Sequence, residues 1–317
     1  MKTEIKQSKT LLEALQKTGN GYKAYLAPEG FVADLLKELG DNVVDVYDRL
    51  VIARDPGKPV AWAANEWLDP VIIPITSIGD AAKKLRDIQR NWAFCPFVLH
   101  RRAALITEKL PKVSAKPLVF GTEAPKAPLG SWTLIDANTL LASAQCSSAF
   151  PNGEPQFVEN HIGSPSRAYL KLWEAFTVLG THPTAGDFCV DLGACPGGWT
   201  WVLQTLGARV LSVDKAPLDE KVSSLPNVEY KCESAFALDP KSVGHVNWLF
   251  SDIICYPKRL LTLVQKWMKE GDVSHFVCTI KFQGETDFET MRELAAIPRS
   301  RIIHLHHNKH ELTWVKL

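Results

Sequence analysis

The chain contains 317 residues, of which 46% are hydrophobic and 22% are charged, and its formal net charge is +1. This composition is ordinary for a globular protein of about two domains. It excludes a disordered tail protein, a collagen-like fibre and a strongly basic nucleic-acid coat, so nucleic-acid binding would require a local basic patch. The seven cysteines form no C-x-x-C pair, which is typical of reduced thiols. No apolar run approaches the ~20 residues of a membrane-spanning helix, and we expect a soluble, cytoplasmic protein.

The first half of the chain has an irregular pattern that predicts an α+β domain over residues 1–155. Residues 22–54 have a β-α-β pattern, VAWAAN and VIIPIT within residues 60–76 are predicted strands, and a helix is predicted to begin at Asp80. These elements favour a small sheet with helices on one face. We interpret the proline-rich residues 109–130 as a linker or an extended surface segment.

The second half, residues 156–317, alternates short β-rich runs with helical stretches. This alternation is typical of βαβ units around a mostly parallel sheet. The last two runs, RIIHLHH and ELTWVKL, are close enough to form an antiparallel hairpin at the sheet edge. The earlier predicted strands are FCVDL (188–192), RVLSVD (209–214), VEYKC (228–232), NWLFSD (247–252) and HFVCTIK (275–281).

A glycine-rich turn, DLGACPGGW (191–199), follows the first of these strands and opens a helix. Ligands of open parallel sheets bind beyond the carboxyl ends of the strands, and glycines let the backbone approach them closely. Asp214 ends the next strand, where a carboxylate can accept hydrogen bonds from both hydroxyls of a ribose. The pattern predicts an adenosine-like ligand. The alternatives are a dinucleotide, which the missing G-x-G-x-x-G disfavours, and a tight turn with no ligand.

DLGACPGGW resembles the methyl-donor motif of FtsJ-type (RrmJ-type) ribosomal-RNA 2′-O-methyltransferases. The stretch PSRAYLKLWEAF (165–176) is similar to the helix before that motif in the RlmM-type branch, which acts on large-subunit ribosomal RNA. The resemblance runs from about residue 160 to the C-terminus. It implies a Rossmann-like class I methyltransferase domain that uses S-adenosylmethionine. The first domain is distantly similar to the ferredoxin-like and THUMP region of that branch.

The resemblance also implies a Lys-Asp-Lys-Glu tetrad, which matches Lys171, Asp252, Lys281 and Glu311. Three of these residues lie at strand ends, where a parallel sheet would bring them to one cleft. Methyl transfer to a ribose hydroxyl needs a base and a cation beside the developing alkoxide. A lysine can serve as the base when burial and a second ammonium lower its pKa from ~10.4. We expect Lys281 to be the base, Lys171 to assist it, and the two acids to orient the ammonium groups.

The donor site is expected to involve the turn, the ends of neighbouring strands and Asp252, which would face the methyl-sulfonium group. Ser234 stands where the family often has aspartate near the adenine. Trp199 is interpreted either as packing beneath the donor loop or as an ordinary core residue. The expected donor-binding residues are Asp191, Gly193, Ala194, Cys195, Pro196, Gly197, Gly198, Trp199, Asp214, Glu233, Ser234 and Asp252.

Four histidines near the C-terminus, H-x-H-H-x-x-H from His304 to His310, suggest a metal site at first inspection. No carboxylate or cysteine completes a ligand set there, and the methyl-transfer chemistry needs no metal. We interpret them as part of a polar edge strand and expect no metal.

A local basic patch occurs in residues 83–116. This stretch contains nine lysines and arginines but only two acidic residues, and Trp92, Phe94 and Phe97 are interleaved with the cations. Cations bind phosphates and aromatic rings can stack on unpaired bases. The alternative is that the aromatic residues belong to the core and that the charged side chains form the solvated face of a helix. Arg167, next to the catalytic helix, is a further candidate for a phosphate contact.

The sequence thus predicts an S-adenosylmethionine-dependent RNA ribose 2′-O-methyltransferase that acts, by resemblance, on large-subunit ribosomal RNA. We expect a monomer that binds neither DNA nor membranes. One alternative keeps the chemistry and changes the RNA. Another is a catalytically silent assembly factor that binds RNA and the donor. A nicotinamide-dependent dehydrogenase is disfavoured by the DLGACPGG turn.

Overall fold

A computed structural model describes residues 13, 15, 16, 18–114 and 116–317. The chain divides into two compact units. The first comprises residues 1–118 and 124–156, and the second comprises residues 119–123 and 157–317. Residues 119–123, which the sequence placed in the first domain, therefore group with the second unit.

The first unit contains two four-stranded sheets where the sequence predicted one. The elements are β1 (Tyr22–Leu26), α1 (Val32–Leu39), β2 (Val43–Tyr47), β3 (Leu50–Arg54), β4 (Asn65–Trp67), β5 (Val71–Pro74), α2 (Ile78–Ile88), β6 (Trp92–Phe94), α3 (His100–Thr107), β7 (Gly130–Asp136) and β8 (Thr139–Ser143). The first sheet is antiparallel and has the order β2-β3-β1-β4, and the second has the order β5-β8-β7-β6. Helices α2 and α3 pack against each other, and their apolar residues share a core with Trp92 and Trp132 of the second sheet.

The strand predicted for VAWAAN is wrong, because only its last residue, Asn65, is in a strand. The Glu38 carboxylate accepts hydrogen bonds from the backbone N–H groups of Ala61 and Trp62, both at 2.8 Å. The Trp62 ring is fully buried and stacks on Phe31 with 4.9 Å between ring centroids. These contacts satisfy buried backbone groups that would otherwise need a neighbouring strand.

The second unit is a seven-stranded sheet flanked by helices. The elements are α4 (Tyr169–Leu179), β9 (Phe188–Leu192), α5 (Gly198–Thr205), β10 (Arg209–Asp214), α6 (Glu220–Ser223), β11 (Val228–Cys232), β12 (His245–Ser251), α7 (Pro257–Glu270), β13 (Asp272–Lys281), α8 (Phe288–Ala295), β14 (Ser300–Ile303) and β15 (Glu311–Lys316). The strand order is β11-β10-β9-β12-β13-β15-β14, and all neighbours are parallel except where β15 pairs with β13 and β14. This confirms the predicted mostly parallel α/β sheet with an antiparallel last strand.

The strand order determines where a ligand can bind. The chain runs outward from β9 through β10 to β11 and then crosses to the other side of β9 to form β12. Connections leave β9 and β12 in opposite directions, and a crevice opens at their carboxyl ends. The glycine-rich turn follows β9 and Asp252 follows β12, so both lie at this switch point.

Aromatic rings on α4 form much of the packing on one side of the sheet. Trp173 stacks on Phe120 with 4.8 Å between centroids, and Phe176 meets Trp248 and Phe250 edge-on. The Phe120 contact gives a physical reason why residues 119–123 group with the second unit. Among the residues that the structure describes, no helix is both long and apolar enough to cross a membrane.

Candidate active site

A cleft of about 510 Å³ opens at the carboxyl ends of the central strands of the second unit. Its walls come from the turn after β9, the ends of β10 and β13, and the segments after β11 and β12. The side chains and backbone that line it belong to Ala168, Gly193, Cys195, Pro196, Val213, Asp214, Lys215, Ser234, Ala235, Phe236, Asp252, Ile253, Ile254, Arg259 and Lys281.

Glycine is required in the turn after β9 because the chain is crowded there. Gly193 has φ of +79°, and a Cβ atom on it would lie 2.5 Å from Cγ1 of Ile253. Its N–H donates to the carbonyl oxygen of Val213 at 2.8 Å, which ties the turn to the end of β10. At Gly198, which opens α5, a Cβ would lie 2.7 Å from Oγ of Ser166. Gly193 therefore presents bare backbone to the cleft, and Gly198 allows close packing against Ser166 outside it.

Asp214 fixes the turn and still has acceptor capacity left. Its Oδ2 accepts the N–H of Cys195 and its Oδ1 accepts the N–H of Ala216, both at 3.0 Å. Each carboxylate oxygen has two lone pairs, so one site on each oxygen remains for a ligand in the cleft. This geometry suits a pair of ribose hydroxyls.

Asp191 does not line the cleft, contrary to its predicted place in the donor site. It is 1% exposed, and its Oδ2 accepts a hydrogen bond from Oγ1 of Thr200 at 2.7 Å. Oγ1 of Thr200 also lies 2.7 Å from Oγ of Ser212. Burial raises the pKa of Asp191 to about 7. Asp191 thus braces the start of α5 from beneath the turn.

Five more of the expected donor-binding residues lie outside the cleft lining. Trp199 is 4% exposed and its indole N–H donates to the carbonyl oxygen of Ala168 at 3.0 Å, so it packs beneath the turn. The Glu233 carboxylate pairs with Lys231 at 2.7 Å. Ala194, Gly197 and Gly198 shape the turn without lining the cleft. The expected residues that do line it are Gly193, Cys195, Pro196, Asp214, Ser234 and Asp252.

The sequence reasoning missed Arg259 and Phe236, which line the same cleft. The Arg259 guanidinium carbon lies 3.9 Å from the centroid of the Phe236 ring. Phe236 follows β11 and Arg259 is near the start of α7, so the rule that ligands bind beyond strand ends could have found both.

The structure brings Lys171, Asp252, Lys281 and Glu311 together. Asp252 and Lys281 line the cleft, whereas Lys171 and Glu311 contact these residues without lining it. Lys281 and Glu311 are opposite each other in the antiparallel pair of β13 and β15. The Lys171 ammonium lies 2.6 Å from Oε1 of Glu311 and 3.0 Å from Oδ1 of Asp252. The Lys281 ammonium lies 3.1 Å from the same Oδ1 and donates to the Asp252 carbonyl oxygen at 2.6 Å. One carboxylate oxygen therefore bridges the two ammonium groups.

The cluster contains two lysines and two acidic residues. Burial by itself lowers the pKa of Lys171, but the carboxylates of Asp252 and Glu311 outweigh burial and leave that pKa above its ordinary value. Burial likewise raises the pKa of Asp252, whereas Lys171 and Lys281 outweigh it and hold that pKa below its ordinary value. Lys171 therefore stays protonated and Asp252 stays ionised at neutral pH.

The C-terminal histidines are dispersed among separate contacts. His304 is half-buried, and desolvation lowers its pKa to about 4. Nε2 of His310 lies 3.1 Å from Oγ1 of Thr286, and Nδ1 of His307 lies 2.6 Å from Oε2 of Glu174. Within residues 13, 15, 16, 18–114 and 116–317, no group of three or more histidine, cysteine or acidic side chains could hold a metal ion.

In the first unit, the cations of residues 83–116 are mostly exposed but the aromatic rings are not. Trp92 is 5% exposed, Phe94 packs on Trp132, and Phe97 packs against the core of the first sheet. Burial of Trp92 favours the alternative that it is a core residue. Phe94 and Phe97 are partly buried, and their interpretation as stacking platforms stays a prediction. The exposed cations are Lys83, Arg86, Arg90, Arg101, Lys109, Lys112 and Lys116.

Arg167, the candidate for a phosphate contact, forms an ion pair within the protein. Its guanidinium lies 2.7 Å from Oε1 of Glu159, and its side chain is 74% exposed. A phosphate contact by Arg167 would have to compete with this pair.

Residues 165–292 match the sequence profile of the FtsJ-like methyltransferase family. Over 186 residues the chain is 31% identical to a Halorhodospira halophila protein named ribosomal RNA large subunit methyltransferase M. This match covers 56% of this chain and 54% of that protein. A Thauera aminoaromatica protein of the same name is 32% identical over 185 residues, 53% of this chain and 50% of that protein. These matches confirm the resemblance carried by DLGACPGGW. The chain spans about half the length of these curated relatives.

Among solved structures, one from Streptococcus thermophilus described as a hemolysin is 19% identical with a TM-score of 0.40. The match covers 52% of this chain and 72% of that chain. This likeness is too low to indicate a function.

Proposed function

We propose that this chain, which carries an FtsJ-like methyltransferase domain over residues 165–292, methylates the 2′-hydroxyl of a ribose in large-subunit ribosomal RNA. The methyl donor is S-adenosylmethionine. The observation that carries the proposal is the convergence of Lys171, Asp252, Lys281 and Glu311 beside a cleft walled by the glycine-rich turn.

The cleft suits the donor in shape and in polar groups. Gly193 keeps one wall free of a side chain, and Asp214 has acceptor sites left for ribose hydroxyls. Ser234, Ala235 and Phe236 follow β11 and offer a partly apolar wall for the adenine. When bound, the donor supplies a methyl group already activated by a positive sulfonium.

The tetrad provides the groups that act on the acceptor hydroxyl. Lys281, which lines the cleft, is the base: in its neutral amine form the lone pair on Nζ takes the hydroxyl proton. The ammonium that results is held by Asp252 through two contacts. Lys171 keeps its charge and stabilises negative charge developing on the hydroxyl oxygen. Glu311 holds Lys171 from the far side. Alignment of the hydroxyl with the methyl group supplies much of the remaining rate.

The substrate class rests on the names of the relatives and on the charge of the first unit. Two relatives that are 31% and 32% identical are named ribosomal RNA large subunit methyltransferase M. The exposed cations of residues 83–116 give the first unit a surface that can bind phosphates. We therefore expect the first unit to contribute to RNA binding.

The test is methyl transfer from labelled S-adenosylmethionine to total RNA from a strain that lacks the gene, with Lys281→Ala as the matched variant. We expect label in large-subunit ribosomal RNA at one ribose, resistant to alkaline cleavage because its 2′-oxygen is blocked. Lys281→Ala should lose at least about 100-fold in rate, the usual scale of general-base catalysis, and keep its affinity for the donor.

Two results would contradict the proposal. Label in transfer RNA or on a base would change the substrate or the acceptor atom. Donor binding without transfer to naked RNA or to ribosomal particles would indicate a catalytically silent binding factor.

A further inference from the structure

The helix that carries Lys171 also carries a buried carboxylate, that of Glu174. Glu174 is three residues after Lys171 on α4 and is 2% exposed. Its Oε1 accepts the backbone N–H of His306 at 2.6 Å, and its Oε2 accepts the backbone N–H of His307 at 2.9 Å. Nδ1 of His307 lies 2.6 Å from the same Oε2. Residues three apart on a helix share a face, so Lys171 and Glu174 point to the same side of α4.

The segment that Glu174 holds leads directly into the tetrad. Residues 304–310 connect β14 to β15, and Glu311 is the first residue of β15. Glu311 contacts Lys171 at 2.6 Å. The helix and the segment are thus joined twice, once through Glu174 and once through the tetrad itself.

The chemistry of this contact explains why a carboxylate is needed. The backbone N–H groups of His306 and His307 have no strand partner, and the two oxygens of the Glu174 carboxylate accept one each. Nδ1 of His307 lies within hydrogen-bond distance of the same Oε2. A carboxylate offers both oxygens as acceptors, whereas the amide of glutamine offers only one.

From this geometry we infer that Glu174 is a positioning residue for methyl transfer. It fixes the path of residues 304–310 and thereby the point at which Glu311 meets Lys171. This inference rests on the proposed function. Misplacement of Glu311 would lower the rate of the chemical step without changing the donor site, since neither Glu174 nor residues 304–310 line the donor cleft.

The test is a double-mutant cycle with Glu174→Gln and Glu311→Gln. Glutamine keeps the shape of Glu174 but replaces one acceptor oxygen with a donor. We expect Glu174→Gln to lower kcat about tenfold, a scale typical of small misplacements, with KM for the donor unchanged. In the Glu311→Gln background the same change should lower kcat less than about twofold, because the residue that it positions is already altered.

Glu38→Gln is the matched control. Glu38 also accepts two backbone N–H bonds with its carboxylate, but in the first unit and far along the chain from the tetrad. It should lower the thermal midpoint and leave kcat at saturating RNA unchanged. Additive effects of Glu174→Gln and Glu311→Gln, or an unchanged kcat in Glu174→Gln, would overturn the inference.

Hydrogen exchange separates this inference from the proposed function. In Glu174→Gln the amides of residues 304–311 should exchange at least about tenfold faster, while those of residues 191–199 keep their rates. Unchanged exchange in residues 304–311 would overturn the positioning role whatever the activity. Absence of transfer by the unaltered protein would instead overturn the proposed function.

Discussion

At the scale of single residues, the cluster of Lys171, Asp252, Lys281 and Glu311 contributes to the stability of the folded protein as well as to the proposed chemistry. Lys171 is 7% exposed and lies between two carboxylates. Its pKa is raised and that of Asp252 is lowered, so the two groups favour folding most between the ordinary pKa values of aspartate and lysine. The stabilisation by Asp252 is lost as pH falls through its folded-state pKa, and that by Lys171 is lost as pH rises through its own.

Lys171→Met should destabilise the protein by about 3–5 kcal/mol, because it removes a buried cation from between two partly buried carboxylates and leaves Asp252 with Lys281 as its remaining ion-pair partner. Urea unfolding at pH 7 would measure the change. Lys231→Met is the control: Lys231 pairs with Glu233 at 2.7 Å but is 49% exposed, and its loss should cost less than about 1 kcal/mol. Equal losses for the two variants would contradict the argument.

Asp191 gives a pH dependence of the opposite sign to that of Asp252. Burial raises its pKa to about 7, so between the ordinary value for aspartate and about 7 the folded state binds more protons than the unfolded state. The free energy of unfolding therefore falls as pH rises through this window. Asp191→Asn removes this dependence, and the variant should gain about 2–4 kcal/mol on the wild type between pH 4 and 8.

The measurement is urea unfolding of both proteins across that pH range. Parallel curves, that is, a constant offset between the two proteins, would contradict the raised pKa of Asp191 and would report only the altered hydrogen bond to Thr200.

At the scale of elements, the turn between β9 and α5 is held by close packing against the segment after β12. Gly193→Ala would place a Cβ 2.5 Å from Cγ1 of Ile253 at a φ of +79°. We expect at least a tenfold loss of donor affinity and a destabilisation of about 1–3 kcal/mol from backbone strain. Calorimetric titration with S-adenosylmethionine and urea unfolding would measure both.

Gly186→Ala is the control for this prediction. Gly186 has φ of +92°, but a Cβ there meets nothing within 4 Å. This variant should share the backbone strain and keep its donor affinity. If it lost donor affinity equally, close packing at Gly193 would not be the cause.

At the scale of the whole molecule, net charge and local charge lead to different expectations. The net charge of +1 gives no general attraction to RNA, whereas residues 83–116 carry an excess of cations. Replacing Lys83, Arg90 and Arg101 with glutamine should weaken RNA binding and reduce the slope of log K against log salt by about 2. Filter binding at several salt concentrations would measure it.

A triple variant of equally exposed cations provides the comparison. Lys37, Arg54 and Lys58 lie in the same unit but outside the basic stretch. Their replacement with glutamine should leave the salt dependence unchanged. Equal effects of the two triple variants would indicate diffuse attraction by the whole unit.

The sequence by itself determined the second unit and its chemical class. Period-two apolar runs separated by helical stretches report which segments pair in a sheet, and a glycine-rich turn at a strand end reports a ligand site. The four tetrad residues were matched through the resemblance, and their positions agree with it. Asp252 and Lys281 stand at the carboxyl ends of β12 and β13, and Glu311 begins the antiparallel strand β15 at the same edge of the sheet. The first unit was harder to predict, since its strands are short. An apolar run such as residues 61–64 looks like a strand but is a loop whose N–H groups are held by the Glu38 side chain.

Only the tertiary structure decided which residues face the cleft and which lie behind it. Asp191, Trp199 and Trp92 match patterns for binding, but burial places them in packing roles. Arg259 and Phe236 match no motif, and Glu174 lies in the stretch 165–176 without a predicted role. All three acquire their places from segments distant in the chain. Local patterns record the backbone conformation of nearby residues, whereas burial and long-range contact depend on how separate elements pack.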